Sequence, residues 1–205
     1  MLEILAKGGY LMIVILICSV AAVAVIVERF IRLRAEQIDT ERFMNEIKGI
    51  LEVSDVDKAL RLCEDTRGPV AGLCREAILK YDREKHEIKE AVEDAAQHEI
   101  PRLSKNLNLL ATIAHITPLL GLLGTVTGMI QAFQGVENTA VEGGFTVSMI
   151  AGGIWEALLT TAFGLSVAIV TYVAYSYLVS RLETLIGEME RSASDIVNLL
   201  KERMG

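Results

Sequence analysis

Residues 10–27 run for eighteen positions without a charged side chain. A helix that crosses a bilayer needs about 20 largely apolar residues, so this block limits the chain more than any other feature. It stops abruptly at Glu28-Arg29. Arg29, Arg32 and Arg34 follow it, whereas Lys7 alone precedes it. A cleaved signal peptide carries its positive charge ahead of the apolar stretch. The pattern here fits an anchor that stays in the membrane. Two further apolar blocks occupy residues 107–133 and 147–179. The first contains His115, Pro118 and several Gly and Thr. The second contains one acid, Glu156, and is longer than one crossing requires. The mean hydropathy of +0.40 is set by these blocks and exceeds what a soluble globule needs.

Lys and Arg counts near the span ends give the orientation. Of 20 such residues, Lys7 precedes the first span, fifteen lie in 28–106, none lies in 134–146 and four follow the third span. The expected division is an extracytoplasmic N-terminal segment (1–9), transmembrane helix 1 (10–27), a cytoplasmic helical domain (28–106) and transmembrane helix 2 (107–133). An extracytoplasmic loop (134–146), transmembrane helix 3 (147–179) and a cytoplasmic C-terminal helix (180–205) complete it. The N-terminus is then periplasmic and the C-terminus cytoplasmic. The net charge of −7 argues against a nucleic-acid partner, which calls for a basic face.

No part of residues 28–106 alternates apolar and polar side chains at a strand's period, so the domain reads as helical. Thr40 and Ser54 are candidate N-caps, and Ser54-Asp55-Val56-Asp57 resembles a weak capping box. Gly68-Pro69 punctuates two helices. Ile88, Ala91, Val92, Ala95, Leu103 and Leu107 recur at three- and four-residue spacing and lead without an evident stop into the second span. Pro101 either kinks this helix or marks a local start. Leu182, Leu185, Ile186, Met189, Ile196, Val197 and Leu200 form a second stripe, whose expected partner is the first, from this chain or a neighbour. The fold class is therefore all-α: an integral membrane protein with three transmembrane helices, the second and third extending into a cytoplasmic helical bundle.

Polar and small residues inside a span suggest an ion path or a helix interface. Gly121, Gly124, Thr125, Thr127 and Gly128 form such a run, with Gly124 and Gly128 as a GxxxG pair. Gly153, Ala157, Thr161, Gly164 and Ala168 form a narrow stripe in the third span. Glu156, Thr160 and Thr171 share an adjacent face. Cys18, Cys63 and Cys74 form no CxxC and have no partner at ligand spacing, so neither a disulfide framework nor a metal site is expected. The Gly121–Gly128 run lacks the Lys-Ser/Thr of a phosphate loop. No Ser-His pair, HExxH or paired intramembrane acids point to an enzyme, and no cofactor is expected.

The stretches Thr117-Pro-Leu-Leu-Gly-Leu-Leu-Gly-Thr-Val-Thr-Gly-Met and Glu156-Ala-Leu-Leu-Thr-Thr-Ala-Phe-Gly-Leu resemble the ExbB/TolQ/MotA family of stator proteins, most of all its ExbB/TolQ branch. Asn106-Leu-Asn-Leu-Leu-Ala-Thr-Ile-Ala matches as well. The resemblance is strong over residues 105–175. It implies a homopentamer of the multi-span subunit in the bacterial inner membrane, surrounding transmembrane helices of a single-span ExbD/TolR-like partner. A membrane aspartate of that partner takes and releases the proton. By motif position the path-lining residues are Thr125, Thr161 and Glu156. The implied function is that of a proton-motive-force-driven motor whose proton flow does work on an envelope protein or import system. Membrane lipids are the remaining partner. One departure is Val167-Ala-Ile-Val-Thr, where many relatives carry a proline; its loss implies a straighter third helix.

Each residue also has a plainer reading. A span threonine often bonds its own helix or bridges neighbours. Glu156, beside the interfacial anchor Trp155, is either a pore-mouth acid or a solvated one. Thr160 and His115 are candidates for a secondary path. His115, however, lies ten residues from Thr125, about 15 Å of helix rise, which favours an interfacial role. Gly121, Gly124, Gly128, Gly153, Ala157 and Gly164 are expected to serve helix packing. The rival to the motor is a non-conducting oligomeric membrane scaffold in which these stripes serve packing alone.

Overall fold

The computed structural model describes residues 9–140 and 147–204. Lys7, most of the expected N-terminal segment and residues 141–146 of the expected loop lie outside the described residues. Among the described residues there are helices and connections but no strand. The helices are α1 (Gly9–Ala35), α2 (Thr40–Glu52), α3 (Val56–Asp65), α4 (Pro69–Leu79), α5 (Lys85–Ser104), α6 (Leu107–Ala140) and α7 (Val147–Met204). Three helices, α1, α6 and α7, are long and apolar enough to cross a membrane. Helix α6 stays helical through residue 140, well into the stretch expected to be a loop. The chain forms two compact units: residues 1–28 with 106–177, and residues 29–105 with 178–205.

In the first unit α1 buries Leu11, Met12, Ile15, Ala22 and Val25, while Ile13, Ile17, Val20 and Val23 are exposed on its other side. The helix is apolar all round, so hydrophobic periodicity could not say which face turns inward.

The second unit obeys the ordinary amphipathic rules. Helix α2 buries Phe43, Ile47 and Leu51, and α3 buries Ala59 and Cys63. The caps differ from the sequence expectation by one residue each. Asp39 accepts from the Arg42 amide at 3.0 Å and Asp55 from the Lys58 amide at 3.0 Å. A carboxylate satisfies the orphan amide and also places a full negative charge at the positive helix end, which a hydroxyl does not. Ser54 occupies the tight turn before α3 with φ of +62°. Thr40 Oγ1 donates to Glu188 Oε2 at 2.9 Å. Gly68 has φ of +117°, and a Cβ there would lie 2.8 Å from the Glu36 carbonyl oxygen. Glycine therefore meets both a backbone and a space requirement before Pro69 opens α4.

The expected run from Ile88 into the second span is broken. Helix α5 ends at Ser104, Asn106 takes φ of +63°, and α6 starts at Leu107. Asparagine is among the few residues that tolerate the left-handed conformation. Its Nδ2 donates to Glu28 Oε2 at 3.2 Å. Pro101 sits in the last turn of α5 rather than at a helix start. Arg29, 1 % exposed, donates from Nη1 to the Arg102 carbonyl at 3.4 Å, placing a cation at the negative end of α5.

The C-terminal stripe of α7 buries Leu182, Leu185, Met189, Ile196, Val197 and Leu200. Each is worth about 1.5–3 kcal/mol when fully buried. Its partners are α5, where Lys85 Nζ donates to Asn198 Oδ1 at 3.0 Å, and also α2, through Thr40 and Glu188. The sequence stripe pointed only to the first of these. Helix α7 runs unbroken through residues 167–171, where no proline interrupts it.

Cys63 and Cys74 are buried, with Cys74 Sγ 3.6 Å from Met44 Sδ. Burial pushes the Cys63 thiol up to about 11, against a partial opposing pull from Arg75, and pushes Cys74 higher still. Because the folded form holds the neutral thiol, this shift stabilises fully below the ordinary thiol pKa. The contribution is lost as pH rises toward 11. At neutral pH the Cys63 thiolate fraction is roughly 100-fold below that of a free cysteine. Maleimide labelling of the folded protein at pH 7.5 should therefore be at least about 100-fold slower at Cys63 than after denaturation. Equal rates would mean that the α3–α4 pair opens readily.

Candidate functional site

Helices α6 and α7 meet antiparallel along a seam of small residues. From one end to the other, Ala132 lies against Gly153, Gly128 against Ala157, Gly124 against Thr160, Gly121 against Thr161, and the Thr117 carbonyl against Gly164. The fit leaves no room for a further carbon. A Cβ on Gly153 would lie 2.7 Å from Ala132 Cβ, one on Gly128 2.9 Å from Ala157 Cβ, and one on Gly164 2.6 Å from the Thr117 oxygen. A Cβ on Gly124 would collide with the Thr160 hydroxyl. Water-driven association is absent between helices in lipid, so such close backbone approach, with its dispersion gain, is the available source of cohesion. Thr117, Thr160 and Thr171 are buried on this side, each at most 2 % exposed.

The threonine hydroxyls have defined partners. Thr161 Oγ1 donates across the seam to the Gly121 carbonyl at 2.7 Å. Thr125 Oγ1 donates to Leu122 of its own helix at 2.7 Å, and Thr160 Oγ1 to Ala157 at 2.8 Å. Each keeps lone pairs that can accept. Gly121 and Thr125 are four residues apart, so Thr161 touches α6 one turn from Thr125. These two residues therefore occupy one side of the seam.

Glu156 is elsewhere. It lies five residues from Thr161, about 140° around α7, and its Oε1 sits against Gly9 at the first turn of α1: a Cβ there would be 2.6 Å from it. Thr160, one turn along, shares that side. A cavity of about 100 Å³ opens between α1, α6 and α7, lined by Glu156, Thr160, Thr127 and Gln131 together with Gly9, Gly124 and Gly128. Sequence reading did not single out Gln131, or Thr127 as more than part of the small-residue run. The signal was there in the helical spacing of 124, 127, 128 and 131, but nothing in the sequence could dock α1 on that face. His115 is exposed, and its Nδ1–H donates to the Ala111 carbonyl at 2.7 Å. Trp155 is exposed too. Among the described residues no group of three His, Cys, Asp or Glu side chains converges to hold a metal ion.

Residues 66–191, more than half of the chain, match the model of the MotA/TolQ/ExbB proton channel family. The chain belongs to this family. The matched region contains every residue of the α6–α7 seam and the α6 and α7 walls of the cavity, but not its α1 wall. This MotA/TolQ/ExbB protein is 32 % identical over 164 residues to the biopolymer transport protein ExbB-like 3 of Synechocystis, covering 80 % of this chain and 78 % of the relative. It is 28 % identical over 190 residues to a biopolymer transport protein ExbB homolog of Methanothermobacter thermautotrophicus, covering 92 % of this chain but 66 % of the relative. With the Tol-Pal system protein TolQ of Pseudomonas aeruginosa it shares 33 % over 117 residues, which is 57 % of this chain and 49 % of that protein. A family of channel proteins rather than enzymes, together with three apolar helices, makes this a multi-pass membrane protein.

Proposed function

We propose that this chain is the pore-forming stator subunit of an ExbB/TolQ-like motor in the inner membrane, driven by the proton motive force. Family membership over the segment that carries Thr125, Thr161 and Glu156 is the observation on which this reading rests. In this reading residues 10–27, 107–133 and 147–179 contain the spans, the Arg/Lys-rich 28–106 domain and the C-terminus are cytoplasmic, and the N-terminus is periplasmic. Copies of the chain form a ring, a pentamer by resemblance, around transmembrane helices of an ExbD/TolR-like partner. The chain has no Asp in any apolar block, so a partner carboxylate is the natural carrier for stepwise proton transfer. Thr125 and Thr161 offer that carboxylate hydroxyls able to donate or accept, so they can solvate either protonation state. Each charge that crosses 100 mV releases about 2.3 kcal/mol. Coupling of this flow to an envelope protein or import system completes the proposal.

A second reading, a non-conducting scaffold, draws on the bonds that occupy the Thr125 and Thr161 hydroxyls. Native mass spectrometry of the protein in mild detergent, with and without a single-span protein of the ExbD/TolR kind, separates the two. The motor reading expects a five-membered ring that takes up two partner copies carrying a membrane aspartate. A ring that never binds such a partner would favour the scaffold.

A further inference from the structure

The cavity between α1, α6 and α7 is polar on two sides. Glu156 and Thr160 come from α7 and Thr127 and Gln131 from α6, while Gly9, Tyr10 and Leu11 of α1 close it. Three of its wall positions are glycines. A Cβ on Gly9 would press on Glu156 Oε1, one on Gly124 would collide with Thr160, and one on Gly128 would meet Ala157. At these three positions the walls already touch, so the glycines let α1 and α7 close on the cavity's edges. At about 100 Å³ it exceeds several-fold the roughly 10–15 Å³ that one water needs; it is open at the exposed Gln131 and offers a water two to four polar partners. The lining mixes a donor, the Gln131 amide, with acceptors, from Glu156 and the Thr127 oxygen. Such a mixture suits water better than a bare cation, which wants oxygens alone. Thr127 Oγ1 already donates to the Leu123 and Gly124 carbonyls, at 3.0 and 3.2 Å, so toward the cavity it acts as an acceptor.

We infer that this cavity holds water, and that Thr127 and Gln131 are positioning residues that keep it against the Glu156 carboxylate, giving protons access to that acid from within a single subunit. The water site stands on geometry alone; its part in proton movement rests on the motor reading above. Among the described residues that line it, the other titratable group is Tyr10 of α1; α6 contributes only neutral groups. The arrangement places Glu156 apart from the Thr125–Thr161 side of the seam, so access and onward transfer use different faces of α7.

The test uses the full chain in membrane vesicles, with Cys18, Cys63 and Cys74 replaced by Ser or Ala. A charged methanethiosulfonate reagent reports water, because it reacts with thiolate. Gln131→Cys should label at least about tenfold faster than Ile13→Cys or Ile17→Cys on the exposed apolar face of α1; equal rates overturn the water site. Proton flux through the chain with its partner is then compared for wild type, Gln131→Leu and Gln131→Asn. Flux should drop in the leucine variant and return in the asparagine variant, a rescue that a packing role would not produce. Unchanged flux in Gln131→Leu, with a conducting wild type, overturns the positioning role. Fast labelling at Gln131→Cys with no flux in wild type would keep the water site and remove the motor reading instead.

Discussion

Gly164→Val should separate α6 from α7 and abolish assembly of the protein. The first added carbon alone would lie 2.6 Å from the Thr117 carbonyl oxygen and 3.2 Å from Gly121 Cα. Both are backbone atoms, so no side-chain rotation relieves the clash and the helices must move apart along the whole seam. Overpacking of a tight interior costs about 1–3 kcal/mol where side chains can adjust; here the expected loss is about 3 kcal/mol or more. The measurement is the yield of the ring that the motor reading proposes, by size-exclusion chromatography in mild detergent, with the thermal midpoint of helix loss. Gly187→Ala is the control. A Cβ there meets nothing within 4 Å, and replacing a mid-helix glycine should stabilise by up to about 1 kcal/mol. If Gly164→Val assembles as well as Gly187→Ala, the α6–α7 seam is not what holds the first unit together.

The second large effect is on proton movement. Thr161→Val removes one hydroxyl and, with it, the 2.7 Å bond to the Gly121 carbonyl. Interhelical bonds of this kind in membranes average about 0.6 kcal/mol, so the variant should fold and assemble. Under the motor reading, flux through the chain with an ExbD/TolR-like partner should nevertheless fall about tenfold or more, which is at least 1.4 kcal/mol of added barrier. Thr161→Ser keeps the hydroxyl and should restore most of the rate. Assembly that is intact with unchanged flux would assign Thr161 to packing, as the scaffold reading has it. Loss of assembly in both variants would place its role in the seam.

How much of this could be read from the chain follows the physics of each region. In the second unit, polar and apolar residues alternate at helical period, so α2 to α5 and the stripe of α7 were legible. The caps slipped by one residue because Asp39 and Asp55 compete directly with Thr40 and Ser54, and charge tips the balance toward the carboxylates. The break at Asn106 was hidden because its left-handed backbone leaves no mark on hydrophobic spacing. In the first unit the signal changes kind. Every face of α1 is apolar, so polarity does not mark its inward side. The small residues of α6 and α7 were visible as stripes, but which of them met could not be read. Glu156 shows the limit most clearly. Motif position groups it with Thr125 and Thr161, yet its carboxylate lies against Gly9 because α7 turns about 140° between the two positions.

The seam between α6 and α7 has a mechanical side as well. Most of its contacts are made by backbone atoms and Cβ carbons, which have no rotamers to exchange, so the pair cannot slide without losing many contacts at once. Helix α1, by contrast, brings Leu11, Met12 and Ile15 to its buried face, side chains with χ angles of their own. Stiffness within the first unit is thus uneven: α6 and α7 form a rigid plank, and α1 is the compliant strut beside it. Displacement within this unit under load should therefore fall on α1, the helix whose first turn closes over Glu156.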